Sequence, residues 1–223
     1  MPEASNGDVR ISFSDEGTGR PVVVLHGPTL DRRVWLPVVP RLLAAGLRII
    51  RPDLRGHGLS TRPDFGYHVS HHASDVRAVL DAVEIERAAV VGFSFGGGVA
   101  LESALTSPNR VSALGLAATT MPDRPFEETF MASLKEVAGT IRSDGLAEAM
   151  AGPWARCPLF EHSFTKPGIR EAVGAIVSSF PGAEFLATQR DRVERDWTVP
   201  ERLGEIKVPT GVLVGEYEMP GFR

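Results

Sequence analysis

The sequence predicts an α/β fold with a mostly parallel sheet and flanking helices, and three observations carry that expectation. Short apolar or β-branched runs alternate with stretches of helical period, the signature of a sheet joined by crossover helices. Residues 21–25 and 88–91 are continuously apolar, as strands buried on both faces must be. A Gly-x-Ser-x-Gly pentad, Gly92-Phe93-Ser94-Phe95-Gly96, stands between one of these runs and a helical pattern.

The elements follow in order. Residues 9–14 alternate and run into Gly17-Thr18-Gly19, the pattern of a hairpin strand. Residues 21–25 lead straight into His26-Gly27, and Asp31 opens a helical stretch over 33–45 that Gly46 closes. Residues 48–50 form the next strand, before the turn-rich Asp53-Leu54-Arg55-Gly56-His57-Gly58-Leu59-Ser60. Over 69–83, Val69, Ala73, Val76, Val79, Leu80 and Val83 share one face of a helix, with His68, His71 and His72 before it or on its exposed side. A strand at 88–91 turns through the pentad into a helix at 99–105, and 111–118 and 210–214 are the last two strands.

Between those two strands, helical patterns fill 127–141, 146–150, 169–180 and 185–194, with no convincing strand. Such an insertion is expected to form a helical cap over the C-terminal edge of the sheet; ordinary crossover helices are the alternative. The chain then divides into an N-terminal core part at 1–120, a helical cap at 121–206 and a C-terminal core part at 207–223.

Composition excludes several classes of function. A formal charge of −4 and a pI near 5.9 give no general field for nucleic acid or anionic membranes. One cysteine, Cys157, cannot form an internal disulfide, and its surroundings suggest an inert thiol. His71-His72 has no third ligand at metal-binding spacing, so neither metal nor cofactor is expected. The first residues are polar and acidic rather than a signal peptide, and no apolar run is long enough to span a bilayer. A soluble, cytoplasmic protein is the expectation.

The pentad carries chemistry because of its setting. A sharp strand-to-helix turn forces Ser94 into a strained backbone, and Gly92 and Gly96 leave room for it. The following helix aims its N-terminal amides at the site, so the N–H of Phe95 can stabilise an oxyanion.

Four stretches then carry a family resemblance: Val22-Val23-Val24-Leu25-His26-Gly27, Arg51-Pro52-Asp53-Leu54-Arg55-Gly56-His57-Gly58-Leu59-Ser60, Val90-Val91-Gly92-Phe93-Ser94-Phe95-Gly96-Gly97 and Val208-Pro209-Thr210-Gly211-Val212-Leu213-Val214-Gly215-Glu216. In order and spacing the chain resembles α/β-hydrolase-fold enzymes of the small esterase, enol-lactonase and cofactor-free haloperoxidase group. Related dehalogenases and epoxide hydrolases carry Asp at the nucleophile position. Serine there implies attack on a carbonyl and an acyl-enzyme, hence ester, lactone, thioester or C–C bond hydrolysis, with a carboxylic ester or lactone as the leading reading.

The resemblance also implies the remaining parts. The acid that orients the base follows the last strand, where Glu218 stands in place of the usual Asp; Asp123, after the preceding strand, is the alternative. His26 braces the oxyanion loop and His57 packs the Asp53–Ser60 loop. The second oxyanion donor falls on Pro28, which has no N–H, leaving the amide or hydroxyl of Thr29 as a substitute. The histidine base belongs after one further strand, yet no histidine follows Glu218, and His162 lies in the cap.

The expectation is therefore a C-terminally truncated hydrolase lacking the last strand and helix, with weak or no activity as this chain. The edge at 210–214 would be open to self-association. A non-catalytic relative that holds a small ligand in the cap is the alternative from another class.

Overall fold

Val23, Leu25, Ile49, Ile50 and Val90 are almost completely removed from solvent in the computed structural model, which describes residues 1–187 and 193–218. Both faces of these strands meet apolar side chains, which places them mid-sheet. The strands are β1 (Glu3–Asn6), β2 (Val9–Glu16), β3 (Arg20–Leu25), β4 (Leu47–Pro52), β5 (Ala88–Phe93), β6 (Val111–Ala117) and β7 (Thr210–Leu213). Their spatial order is β1-β2-β4-β3-β5-β6-β7, with β1/β2 and β2/β4 antiparallel and every later pair parallel.

The helices are α1 (Val39–Ala44), α2 (Val69–Ala82), α3 (Phe95–Thr106), α4 (Glu128–Ser143), α5 (Leu146–Ala149), α6 (Ile169–Val177), α7 (Ala183–Leu186) and α8 (Val199–Arg202). Register sets where a site can form. Leu25 pairs with Gly92, Phe93 with Ala117, and Ala117 with Leu213, so four strands end level. From β3 the chain crosses to β4 on one side, and β5 then lies on the other side. The crevice beyond β3 and β5 is thus a topological switch point, where open α/β sheets hold ligands.

Several elements differ from the sequence reading. The stretch 33–45 is not one helix: a 3-10 turn at Arg32–Trp35 is followed by α1, because Pro37 and Pro40 interrupt the bonding ladder. The hairpin partner of β2 is β1, a short polar strand with no apolar alternation to betray it. The pattern at 146–150 passes into a π turn at Met150–Trp154 around Pro153. His72 is wholly buried rather than exposed: α2 packs against both α3 and β1, so more than one of its faces is covered. Part of the helical pattern at 185–194, and Met219-Pro220-Gly221-Phe222-Arg223, lie outside the described residues.

Between β6 and β7 the described residues form helices and turns only. They gather a second apolar cluster, with Val137, Met150, Trp154, Ile176, Val177 and Phe180 at its centre. Leu30 and Phe93 reach that cluster from the sheet's C-terminal edge. Strand β7 is exposed along its length, Val212 at 67% and Leu213 at 71%, so its outer edge is bare among the described residues. No described helix is long and apolar enough to cross a membrane.

Candidate active site

Ser94 sits where β5 ends and α3 begins, with φ 53° and ψ −119°, a conformation most L-residues avoid. Missing side chains make it tolerable. A Cβ on Gly92 would lie 2.1 Å from the Gly96 carbonyl oxygen, and one on Gly96 would lie 2.4 Å from that of Leu25. Backbone bonds lock the turn: the Ser94 N–H donates to Ala117 (2.9 Å), while its carbonyl accepts from Gly97 (2.9 Å) and Thr120 (3.1 Å).

Phe95 opens α3, so its N–H has no partner within the helix. Thr29, Ala118, Asp123 and Glu84 also have positive φ; Glu84 follows α2, while the other three, like Ser94, lie after strands at the same sheet edge. Strain of this kind costs about 1–3 kcal/mol per residue and clusters at functional sites.

The loop after β3 runs beside the serine: a Cβ on Gly27 would stand 3.3 Å from Ser94 Cβ. Its two histidines are fully engaged. His26 Nδ1 donates to the Gly27 carbonyl (2.7 Å) and Nε2 accepts from the Leu54 N–H (2.9 Å). His57 Nδ1 donates to the Arg55 carbonyl (2.9 Å) and Nε2 accepts from the Thr29 N–H (3.3 Å). These partners set which ring nitrogen of each histidine donates and which accepts. Burial, with His57 5.0 Å away, lowers the His26 pKa to about 4. The Thr29 amide is thus occupied, and Pro28 has none. The Thr29 hydroxyl is buried without a hydrogen-bond partner, which leaves it as the free donor among those the sequence reading placed on this loop.

No hydrogen bond joins Ser94 Oγ to a histidine among the described residues. His68 caps α2 through Ser70, His162 stacks on Tyr217 with ring centroids 3.8 Å apart, and His72 packs edge-on to Phe95 at 4.9 Å. Both ring nitrogens of His72 are buried and unpartnered, and burial holds its pKa well below the ordinary value.

The two candidate acids have different settings. Asp123 accepts from Arg195 and from the Val199 N–H (2.9 Å), tying the segment before α8 to the loop after β6. Glu218 follows β7, its amide donating to the Gly215 carbonyl (3.3 Å). A Cβ on Gly215 would meet Glu218 Oε1 at 3.0 Å, so the carboxylate folds back over its own turn.

Residues that sequence reasoning passed over support this edge. Arg55 and Asp75 form a two-bond buried pair (2.7 Å each), and Arg32 bonds Asp53 (2.7 Å), which also accepts from Leu59. Glu102 in α3 is 1% exposed and accepts two bonds from Arg195 (2.9 Å each). A lone carboxylate within Val99-Ala100-Leu101-Glu102-Ser103-Ala104-Leu105 was the signal that a buried cation must meet it. From the helical segment, Phe180 stacks 5.2 Å from His57, and burial raises the Glu184 carboxyl despite the field of His57. Cys157 is buried, and desolvation raises its thiol. No metal-binding cluster of three His, Cys, Asp or Glu occurs among the described residues.

Residues 20–146 match the family model described as alpha/beta hydrolase fold. The 2-hydroxymuconate semialdehyde hydrolase of Pseudomonas sp. (strain CF600) is 39% identical over 124 residues, 54% of this chain and 44% of that one. The chain thus matches under half the length of that curated relative. Among solved structures, Est816, titled as an N-acyl homoserine lactone degrading enzyme, aligns with a TM-score of 0.75 and 28% identity, covering 97% of this chain and 82% of its own. A thermophilic esterase from Thermogutta terrifontis aligns with a TM-score of 0.76 and 27% identity, covering 97% and 80%.

Proposed function

The chain belongs to the α/β-hydrolase-fold family, and from that premise we propose that it is built to cleave a carboxylic ester or lactone through an acyl-enzyme on Ser94. The observation that carries this reading is the Ser94 turn itself, strained at φ 53° and followed at once by the free Phe95 amide. Ser94 Oγ attacks the carbonyl carbon and loses its proton to a base, and the Phe95 N–H stabilises the oxyanion. The alcohol then leaves with a proton, and water releases the acid from Ser94. The Thr29 hydroxyl is the second oxyanion donor in this reading, since its own amide serves His57 and Pro28 has no N–H. In this reading the core is drawn from 1–120 and 207–223 and the cap from 121–206, and Glu218 or Asp123 is the carboxylate that would orient a histidine. Similarity to an esterase and to a lactone-degrading enzyme supports the substrate class.

With no histidine bonded to Ser94, residues 1–223 are expected to turn over slowly. A general base contributes roughly 10²–10⁴ in rate, so supplying one in solution is the test. Purified 1–223 should hydrolyse p-nitrophenyl butyrate slowly, and imidazole should raise that rate saturably. Ser94→Ala should show only imidazole's own reaction with the ester, roughly ten-fold lower or less. Equal rates for the two proteins at every imidazole concentration would sink the proposal; rapid Ser94-dependent turnover without imidazole would overturn its slow-turnover part.

A further inference from the structure

The elbow is nearly closed to solvent. Ser94 is 9% exposed and Thr29 1%, and the Thr29 hydroxyl has almost no exposed surface. A substrate carbonyl reaches these two groups only if something beside them moves. What packs there is the end of α6. Leu30 and Phe93, the chain neighbours of Thr29 and Ser94, join the apolar cluster that holds Ile176, Val177 and Phe180. Phe180 also stacks 5.2 Å from His57, whose Nε2 accepts from the Thr29 N–H.

This helix is lightly held. Of its nine residues only Ile176 and Val177 are buried. Gly168 before it and Gly182 after it have φ of 75° and 72°, and a Cβ on Gly168 would meet nothing within 4 Å. Few buried apolar contacts mark a segment that opens at low cost, and glycines at its ends can absorb a change in backbone angles.

One side chain ties it to the core. Among the described residues, the hydrogen bonds from 169–187 to residues before 121 all come from Arg33. Its guanidinium donates to both oxygens of Asp31 (2.6–3.0 Å). It also reaches across to the Ala175 and Ile176 carbonyls (3.5 and 3.4 Å) and to Ser179 Oγ. Those carbonyls belong to the last turn of α6, the end of a helix that favours a cation. The Arg33 side chain is 43% exposed, so water competes for these bonds and the grip is reversible.

We propose that α6 is a lid over Ser94 and that Arg33 is its latch, with residues 169–181 moving between Gly168 and Gly182 to admit substrate. Reaction at Ser94 then scales with the fraction of molecules whose lid is open. As a route for substrate the lid rests on the reading of Ser94 as nucleophile, but its test does not.

Access is read in Ser94→Cys by alkylation with iodoacetamide, located by peptide mass spectrometry; the native thiol, Cys157, is buried. Lid opening is read in the same protein by amide hydrogen exchange over 169–177, since a helix this short does not hold in water once detached. Helix α3, buried from Gly96 to Leu105, is the internal control. Adding Arg33→Gln should speed both alkylation at position 94 and exchange in α6 by a similar factor, roughly three- to ten-fold, with exchange in α3 unchanged. Ser179→Ala, which leaves the Asp31–Arg33 pair intact, should shift both the same way by less. Arg33→Lys, which keeps a donor and a charge, should restore part of the parent's protection. Faster exchange in α6 with unchanged alkylation would mean that the helix does not cover Ser94 and would overturn the proposal. Unchanged exchange in both Arg33→Gln and Ser179→Ala, or loosening shared equally by α3, would overturn the latch. Failure of Ser94 itself to take up an acyl group would refute the ester reading and leave these rates as they are.

Discussion

Gly92→Ala is expected to lower the melting temperature of the chain by roughly 10 °C. The new Cβ would stand 2.1 Å from the Gly96 carbonyl oxygen, 2.3 Å from its carbon and 2.4 Å from the Gly97 nitrogen. All three are backbone atoms, so no side chain can rotate away. Relief requires the first turn of α3 to move, carrying Ser94 and the Phe95 amide out of register with the loop after β3. Overpacking a core costs about 1–3 kcal/mol, and a clash confined to backbone belongs at the upper end.

Gly139→Ala is the control. It lies in α4, its Cβ would meet nothing within 4 Å, and replacing a helical glycine should raise stability by about 0.5–1 kcal/mol. Thermal melts of the two variants beside the parent decide the matter. A Gly92→Ala protein melting with the parent would mean that the turn is not built as described.

Between pH 7.5 and pH 5, His26 alone should take about 2 kcal/mol from the stability of the fold. Burial lowers its pKa from 6.5 to about 4 in the folded chain. As pH drops through 6.5 the unfolded chain takes up a proton that the folded chain refuses, so stability is intact above 6.5. It declines down to about 4, where the folded ring also protonates and its bond from the Leu54 N–H is lost.

His72, also pushed down by burial, acts in the same direction and has no hydrogen bonds to lose. Glu184, whose carboxyl is raised by burial, works the opposite way at the acid end of this window. Urea unfolding at the two pH values reads the difference. His72→Leu removes two unpartnered nitrogens, so it should be more stable than the parent at pH 7 by about 1 kcal/mol and should flatten part of the acid slope. A parent protein equally stable at both pH values would contradict the burial assigned to His26.

Most of the sheet was legible because its strands are written in one alphabet: the β-branched runs that become β3 and β5 can be buried on both faces and nowhere else. The elbow was legible for the same reason at smaller scale, since a serine flanked by Gly92 and Gly96 between a strand and a helix has few other uses. What escaped notice depends on partners distant in sequence. His72 falls on a helical face that the pattern leaves polar, and only the packing of α2 against both α3 and β1 buries it. The Thr29 amide seemed available until His57, 28 residues away, was seen to accept from it. Asp123 read only as the alternative acid, without its ion pair, because Arg195 lies 72 residues on. The split of 33–45 was readable in Pro37 and Pro40, but the apolar spacing around them outweighed the two prolines.

The account rests on Ser94 as the atom that takes up the acyl group. With no histidine bonded to Ser94 among the described residues, deacylation slows along with acylation, so the intermediate should persist long enough to be weighed. The most direct measurement is mass spectrometry of 1–223 after exposure to p-nitrophenyl butyrate, intact and then as peptides. The predicted result is one butyryl group, on the peptide containing Ser94, absent from Ser94→Ala and removed faster when imidazole is added. A butyryl group on any other residue, or none even with imidazole present, would contradict it.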